Sequence, residues 1–263
     1  MITDREIQQF DEKGAVTIDT PLTEAQIAAA SAALDRLLPF QEPQEGQPPR
    51  YRAGMTCSFY DPELLEILQH PFFEEVTRRV LRAEQVRFFQ TAITSAYPQP
   101  NTPFSFEQHV DIQYGLSDFQ AVPRRIVCSY FLWLTDVNAR RAPMMVRPGS
   151  HLLIAEERER RHPERKGAVP EVAGVALAQL PALSYADPIP LLAKAGQVSV
   201  LTTATVHGAS VNVDDAPRKV MVLTFTAADV KIGLPPDQER QRQAYNRGLR
   251  SRLRPERASI VAE

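Results

Sequence analysis

Cysteine is almost missing from this sequence. Cys57 and Cys128 are the only two in 263 residues, and neither belongs to a CxxC or sits beside a histidine. A thiolate zinc site, an iron–sulfur cluster and a disulfide framework are therefore poorly supported. Histidine is scarce as well: His70, His109, His151, His162 and His207 are the full set. Any metal centre must draw on those five and on carboxylates. An excess of one charge is also lacking, because 30 Lys and Arg against 32 Asp and Glu leave −2. That balance argues against a nucleic-acid partner. No apolar run approaches the roughly 18 residues that span a bilayer, so no membrane partner is expected. Residues 1–10 have no basic segment leading into an apolar one. With no secretion signal read there, the expected location is cytoplasmic.

What is present is proline, 22 residues, well above the usual share of about 5%. That favours many ordered turns over long helices. The N-terminal part reads as helical. Thr3 to Glu6 and Thr23 to Gln26 are capping boxes, and Asp61-Pro62 opens a helix through Leu64, Leu65 and Leu68. A further helix starts near Pro71. Ala15 to Ile18 is a short strand, and residues 41–50 are a polar, turn-rich loop. After about residue 85 strands dominate: Val86 to Thr94, Gln197 to Leu201 and Val220 to Thr226. Ile126 to Leu134 is apolar on both faces, as a strand buried on both sides would be. The pattern predicts one domain over 1–263. It has a helical part at about 1–84, a β core at about 85–230 and a polar, Arg-rich tail at about 231–263. The fold class is mainly β with flanking helices, a sandwich or jelly roll. The mixed-charge run 155–166 reads as a solvated helix or loop, or as part of a lid.

Three elements carry chemistry. His109-Val110-Asp111 puts an imidazole and a carboxylate on the same side of a strand. Alone this is weak, since a buried histidine commonly bonds a carboxylate. His207 follows a second strand run, and Arg218 stands eleven residues beyond it. Two histidines and one carboxylate form a facial triad that leaves three positions open on an octahedral Fe(II). The planar fork of an arginine matches a carboxylate bidentately. The remaining histidines have plainer roles: His151 in the turn Pro148-Gly149-Ser150, His70 as a helix cap, His162 in solvent. Trp133, Met144 and Met145 read first as core.

The order HxD, then Arg147-Pro148-Gly149-Ser150-His151, then His207 and Arg218 resembles the phytanoyl-CoA dioxygenase family. So does the opening Phe10-Asp11-Glu12-Lys13-Gly14-Ala15-Val16. The resemblance implies a double-stranded β-helix of the cupin-like kind. It implies Fe(II) as metal, 2-oxoglutarate as co-substrate and O2 as oxidant. His109, Asp111 and His207 would bind iron, Arg218 would hold the distal carboxylate of 2-oxoglutarate, and Phe106 and Gln90 would line the pocket. Halogenation is not expected, since halogenases of the family lack the ligand carboxylate that Asp111 provides. Two departures stand out. Residues 141–146 lack the Asn-Gly that relatives often carry, and Ala209 stands where relatives can place a hydroxyl that helps hold 2-oxoglutarate.

The expected activity is hydroxylation of an unactivated C–H bond of a small molecule, such as a natural-product intermediate, with release of succinate and CO2. The same chemistry can end in desaturation, epimerisation or ring closure. The alternative of another class is a metal-binding jelly-roll protein or isomerase that needs no oxidant. The expected oligomeric state is a monomer or weak homo-oligomer.

Overall fold

The structure, a computed structural model, describes residues 1–41 and 51–261. All but the first residue of the loop expected at 41–50 lie outside them. In chain order the strands are β1 (Ala15–Ile18), β2 (Arg52–Thr56), β3 (Val86–Ala96), β4 (His109–Gln113), β5 (Cys128–Trp133), β6 (Met144–Val146), β7 (Glu171–Ala176), β8 (Ile189–Leu191), β9 (Val198–Leu201), β10 (His207–Ala209) and β11 (Arg218–Ala227). The α-helices are α1 (Asp4–Lys13), α2 (Glu24–Leu37), α3 (Pro62–Leu68), α4 (Pro71–Leu81), α5 (Leu116–Gln120), α6 (Ser150–Arg161) and α7 (Pro236–Arg250).

Two sheets face each other. The larger runs β1-β9-β5-β11-β3-β2, the smaller β7-β4-β10-β6-β8. Every pairing between these strands is antiparallel. This is the jelly-roll architecture expected, with β1 and β2 of the N-terminal stretch built into the edges of the larger sheet. β5 shows why its sequence is apolar throughout. Tyr130 and Leu132 point outward into a core shared with Leu64, Phe73, Val76 and Leu223, and so face the helices. Phe131 and Trp133 point inward against Val146 and Leu201. Trp133 is fully buried and its indole N–H donates to Ser199 Oγ at 3.0 Å, so it is core as expected.

Both capping boxes form, at Thr3/Glu6 and Thr23/Gln26. His70 caps α4 by accepting the Phe72 N–H at 3.2 Å, and His162 is exposed. The charge run falls on the second half of α6 and a following 3-10 turn. There Glu157 pairs with Arg160 and Arg161. The C-terminal stretch is α7, held down by buried Tyr245 and Leu249. The sequence reading missed β2, β6, β7 and β8. β6 and β8 have three residues each, β8 contains a proline, and β7 is largely exposed, so none shows a strong two-residue period.

α1 is locked to the smaller sheet's turns. Asp11 grips the buried Arg124 with two bonds, Oδ1 to Nη1 at 2.5 Å and Oδ2 to Nη2 at 2.7 Å. Its backbone carbonyl accepts from His151 Nε2 at 3.1 Å. Gly14 ends the helix at φ +79°, and a Cβ there would fall 2.0 Å from Thr205 Oγ1. Burial pushes the His151 imidazole down to about 4, against a smaller upward pull from the Asp11 carbonyl. The unfolded chain therefore takes up this proton first as pH falls. His151 stabilises the fold fully above its ordinary value near 6.5, and that contribution fades between there and about 4. The full effect is at most about 3 kcal/mol. Urea unfolding at pH 7 and pH 4.5 should show a smaller pH penalty in His151→Gln than in the wild type. An identical penalty in both would remove His151 from the account.

Candidate metal centre

His109 opens β4 and His207 opens β10, and the two are direct partners in the ladder. Alternation along β4 then brings Asp111 to the same inner face. Asp111 Oδ1 lies 3.0 Å from His109 Nε2, and Oδ2 lies 3.5 Å from His207 Nε2. One ligand atom from each of the three residues falls within 4.8 Å of the others. The two rings are 4.6 Å apart between centroids. The HxD pair and the distant histidine are therefore brought together as expected. Burial alone would push the Asp111 carboxyl up. Hydrogen bonds from His109 and His207 outweigh burial and hold it well below the usual carboxylate range. It presents an anion at this point. Two imidazoles and one carboxylate, with no thiolate, form a donor set suited to Fe(II).

His207 is held by more than its strand. Its Nδ1–H donates to the Thr205 carbonyl at 2.8 Å, so Nε2 is the nitrogen turned toward the shared point. The preceding residue is pegged on both sides: the Val206 N–H donates to Ser150 Oγ at 2.8 Å, and the Arg147 N–H donates to the Val206 carbonyl at 2.9 Å. The Pro-Gly-Ser turn thus serves the site through Ser150, whereas His151 packs against α1. Gly208 has no room for a side chain, since a Cβ would stand 1.6 Å from the Glu107 carbonyl oxygen. The sequence reading gave neither Ser150 nor Gly208 a role in the site. The signal available was their place beside His207 and in the turn.

Arg218 begins β11 with 4% of its surface exposed. Its Nη1 donates to Thr94 Oγ1 at 3.1 Å, its guanidinium lies 5.8 Å from the Trp133 ring centroid, and its Nε is buried without a partner. Among the described residues no carboxylate pairs with it. Burial, and then repulsion from Arg52, pushes its guanidinium down to about 10. A cavity of about 520 Å³ is lined by its ladder partner Ala96 and by Arg52, Phe106, Glu107 and Ala209 among others, though not by Arg218 itself. Phe106 therefore lies at the cavity, bridged to Ser210 and next to the Phe104 ring. Gln90 is half-buried on β3, opposite Thr224 and on the inner face that also carries Ala92 and Thr94. It is not among the cavity's lining residues.

Gly208→Ala puts a methyl group against backbone that cannot swing aside, so β10 must part from β4. Affinity for Mn(II), followed by the electron paramagnetic resonance of the free ion, should fall at least about tenfold. Unchanged affinity would mean that the close approach at Gly208 is not what sets His207.

Residues 10–220 match the phytanoyl-CoA dioxygenase (PhyH) family. No curated protein matches the chain in a sequence search. Among solved structures, the epimerase SnoN in complex with Fe3+, alpha ketoglutarate and nogalamycin RO is similar. It has 18% identity, a TM-score of 0.61, and coverage of 86% of this chain and 83% of that one. The alpha ketoglutarate dependent carbocyclase SnoK from nogalamycin biosynthesis aligns with 19% identity and a TM-score of 0.59, over 87% and 85% of the two chains. HygX from Streptomyces hygroscopicus, with nickel and 2-oxoglutarate bound, aligns with 14% identity and a TM-score of 0.55, over 86% and 88%. These structures share the fold, and the family match spans the site from Phe10 through HxD, His207 and Arg218. The chain belongs to the phytanoyl-CoA dioxygenase family, and with it to the iron- and 2-oxoglutarate-dependent oxygenases.

Proposed function

We propose that this enzyme hydroxylates an unactivated C–H bond of a small molecule, with 2-oxoglutarate as co-substrate and succinate and CO2 as the other products. Iron, 2-oxoglutarate and O2 together supply an oxidant strong enough to remove such a hydrogen. The chain's own residues do the rest. His109, Asp111 and His207 would hold the metal, with the Thr205 carbonyl turning Nε2 of His207 toward it. Arg218 receives the distal carboxylate of 2-oxoglutarate, Phe106 lines the cavity, and Gln90 faces the space between the sheets from β3. The observation that carries this reading is the pairing of an anion-bearing triad with a buried guanidinium that has no counter-ion among the described residues. A metal-binding protein without an oxidant has no use for that guanidinium.

A second reading keeps the metal and co-substrate and ends in epimerisation or ring closure. The likeness to SnoN and SnoK favours it. The two differ in whether oxygen from O2 enters the product.

Anaerobic titration of the protein with Fe(II) and 2-oxoglutarate should develop a visible charge-transfer band, and His109→Ala should lose it. Succinate should form under air and not under argon. A wild type without the band, or a band that survives in His109→Ala, overturns the assignment.

A further inference from the structure

We propose that the substrate reaches the metal across β7, the edge strand of the smaller sheet, and that Ala176 and Gly174 set how large a substrate is admitted. This deepens the reading of His109, Asp111 and His207 as the metal site and rests on it.

The three ligands are not equally enclosed. His207 has a strand on each side, β4 and β6, and 4% of its side chain is exposed. His109 and Asp111 expose 39% and 42% of theirs, although β7 pairs with their strand. The approach to the ligands is therefore on the β7 side.

The sheet order says where that side lies. β1 and β8 are edge strands, and Val16, Thr17, Ile189 and Leu191 line one small cavity between them. Those two edges meet, so β2 and β7 are the edges on the opposite flank of the sandwich. A path over β7 enters there from solvent and crosses a single strand before it meets β4.

The shape of β7 keeps this path open. Val110 faces Val175 and Ile112 faces Val172, so three steps on β7 oppose two on β4. The extra residue of this bulge falls opposite Asp111. Gly174 sits in the bulge at φ +55°, and a Cβ there would meet nothing within 4 Å. Val175 packs against Val110, Ile154 and Val206 on the outer face. Its neighbours Gly174 and Ala176 therefore turn to the face that carries His109. Ala176 is the ladder partner of His109, so its methyl group stands beside the imidazole. Both small residues are exposed.

Glycine and alanine are poor strand formers, and an exposed strand is better built from larger side chains. The bulge already guards this edge against pairing with another chain, so that need does not explain them. Room beside the ligands does. A larger side chain at 176 would lie over His109, and one at 174 would project into the open space opposite Asp111.

The test labels histidines in the full-length protein freed of metal, the state in which the His109 ring can react. The reagents are diethyl pyrocarbonate, which is small, and p-bromophenacyl bromide, which is bulky. Modification is mapped by mass spectrometry, with the exposed His162 as internal reference. In the wild type both reagents should modify His109 and spare His207. Ala176→Leu should slow the bulky reagent at His109 at least about tenfold, the selectivity that a few extra carbons give a pocket. It should slow the small reagent less and leave His162 and the affinity for Mn(II) unchanged. Ala176→Gly should slow neither reagent. Unchanged labelling of His109 in Ala176→Leu would mean that the reagents arrive by another route and would overturn the inference. A wild-type His109 as inert as His207 would overturn it too. Loss of Mn(II) affinity in Ala176→Leu would make Ala176 a prop for His109 and overturn its part. If Ala176→Leu does not fold, Gly174→Asn carries the test, since asparagine accepts a positive φ. The labelling needs neither iron nor 2-oxoglutarate, so a wild type without the charge-transfer band would overturn the functional reading and leave the route to His109 standing.

Discussion

Two histidines far apart in the chain meet only because β4 and β10 lie side by side, with His109 and His207 as direct partners. The site depends on that pairing. It is a tight one: the backbone of Gly208 sits where any side chain would strike Glu107. The individual bonds that peg Val206 and His207 contribute about 1 kcal/mol each. Steric exclusion at Gly208 is the firmer constraint, because overlap with backbone has no rotamer to relieve it. Strand order delivers the ligands and close packing fixes their separation. The Thr205 carbonyl then sets which nitrogen of His207 points inward.

The second constraint is electrostatic. The inner space carries an anion on the smaller sheet, at Asp111, and cations on the larger, at Arg218 and Arg52. Leaving a guanidinium buried and unpaired costs several kcal/mol. The Trp133 face returns about 1 kcal/mol of that, and the bond to Thr94 about as much again. Neither neutralises the charge. An apolar side chain at position 218 would give a more stable sheet, so the arginine makes sense as a site for a ligand anion. The donor atoms clustered around Asp111 likewise form a set suited to a cation. On the proposed reading, a dianionic co-substrate would satisfy both ends at once.

Much of this was legible in the sequence, for identifiable reasons. His109 and Asp111 stand two apart, so a single strand suffices to aim them. The apolar run of β5 showed burial on both faces before any neighbour was known. Capping boxes are local patterns, and both formed. What stayed hidden depends on register between strands. Thr94 acquires its meaning only when β3 is set against β11, and Ala176 only when β7 is set against β4. Ser150 reads as one more turn residue until its hydroxyl is seen holding Val206. His151 is the converse case: it stands in a recognisable motif, yet its bond goes to α1.

The interval between His207 and Arg218 shows how such a motif arises physically. It contains the three residues of β10, a connection that crosses between the sheets, and the first residue of β11. Asn212 sits in the middle of that connection with 2% of its surface exposed. Its side-chain amide donates to the carbonyls of Ala96 and Ala216, at 2.9 and 2.8 Å, and its own carbonyl accepts the Gln99 N–H at 2.6 Å. One residue thereby ties the crossing that follows His207 to the crossing that leads from β3 to His109. Both crossings close the same end of the two sheets, beside the cavity. Lengthening either one would move the triad relative to Arg218 while leaving each group intact. The eleven-residue spacing is therefore the length of a crossing that a buried amide holds between His207 and Arg218.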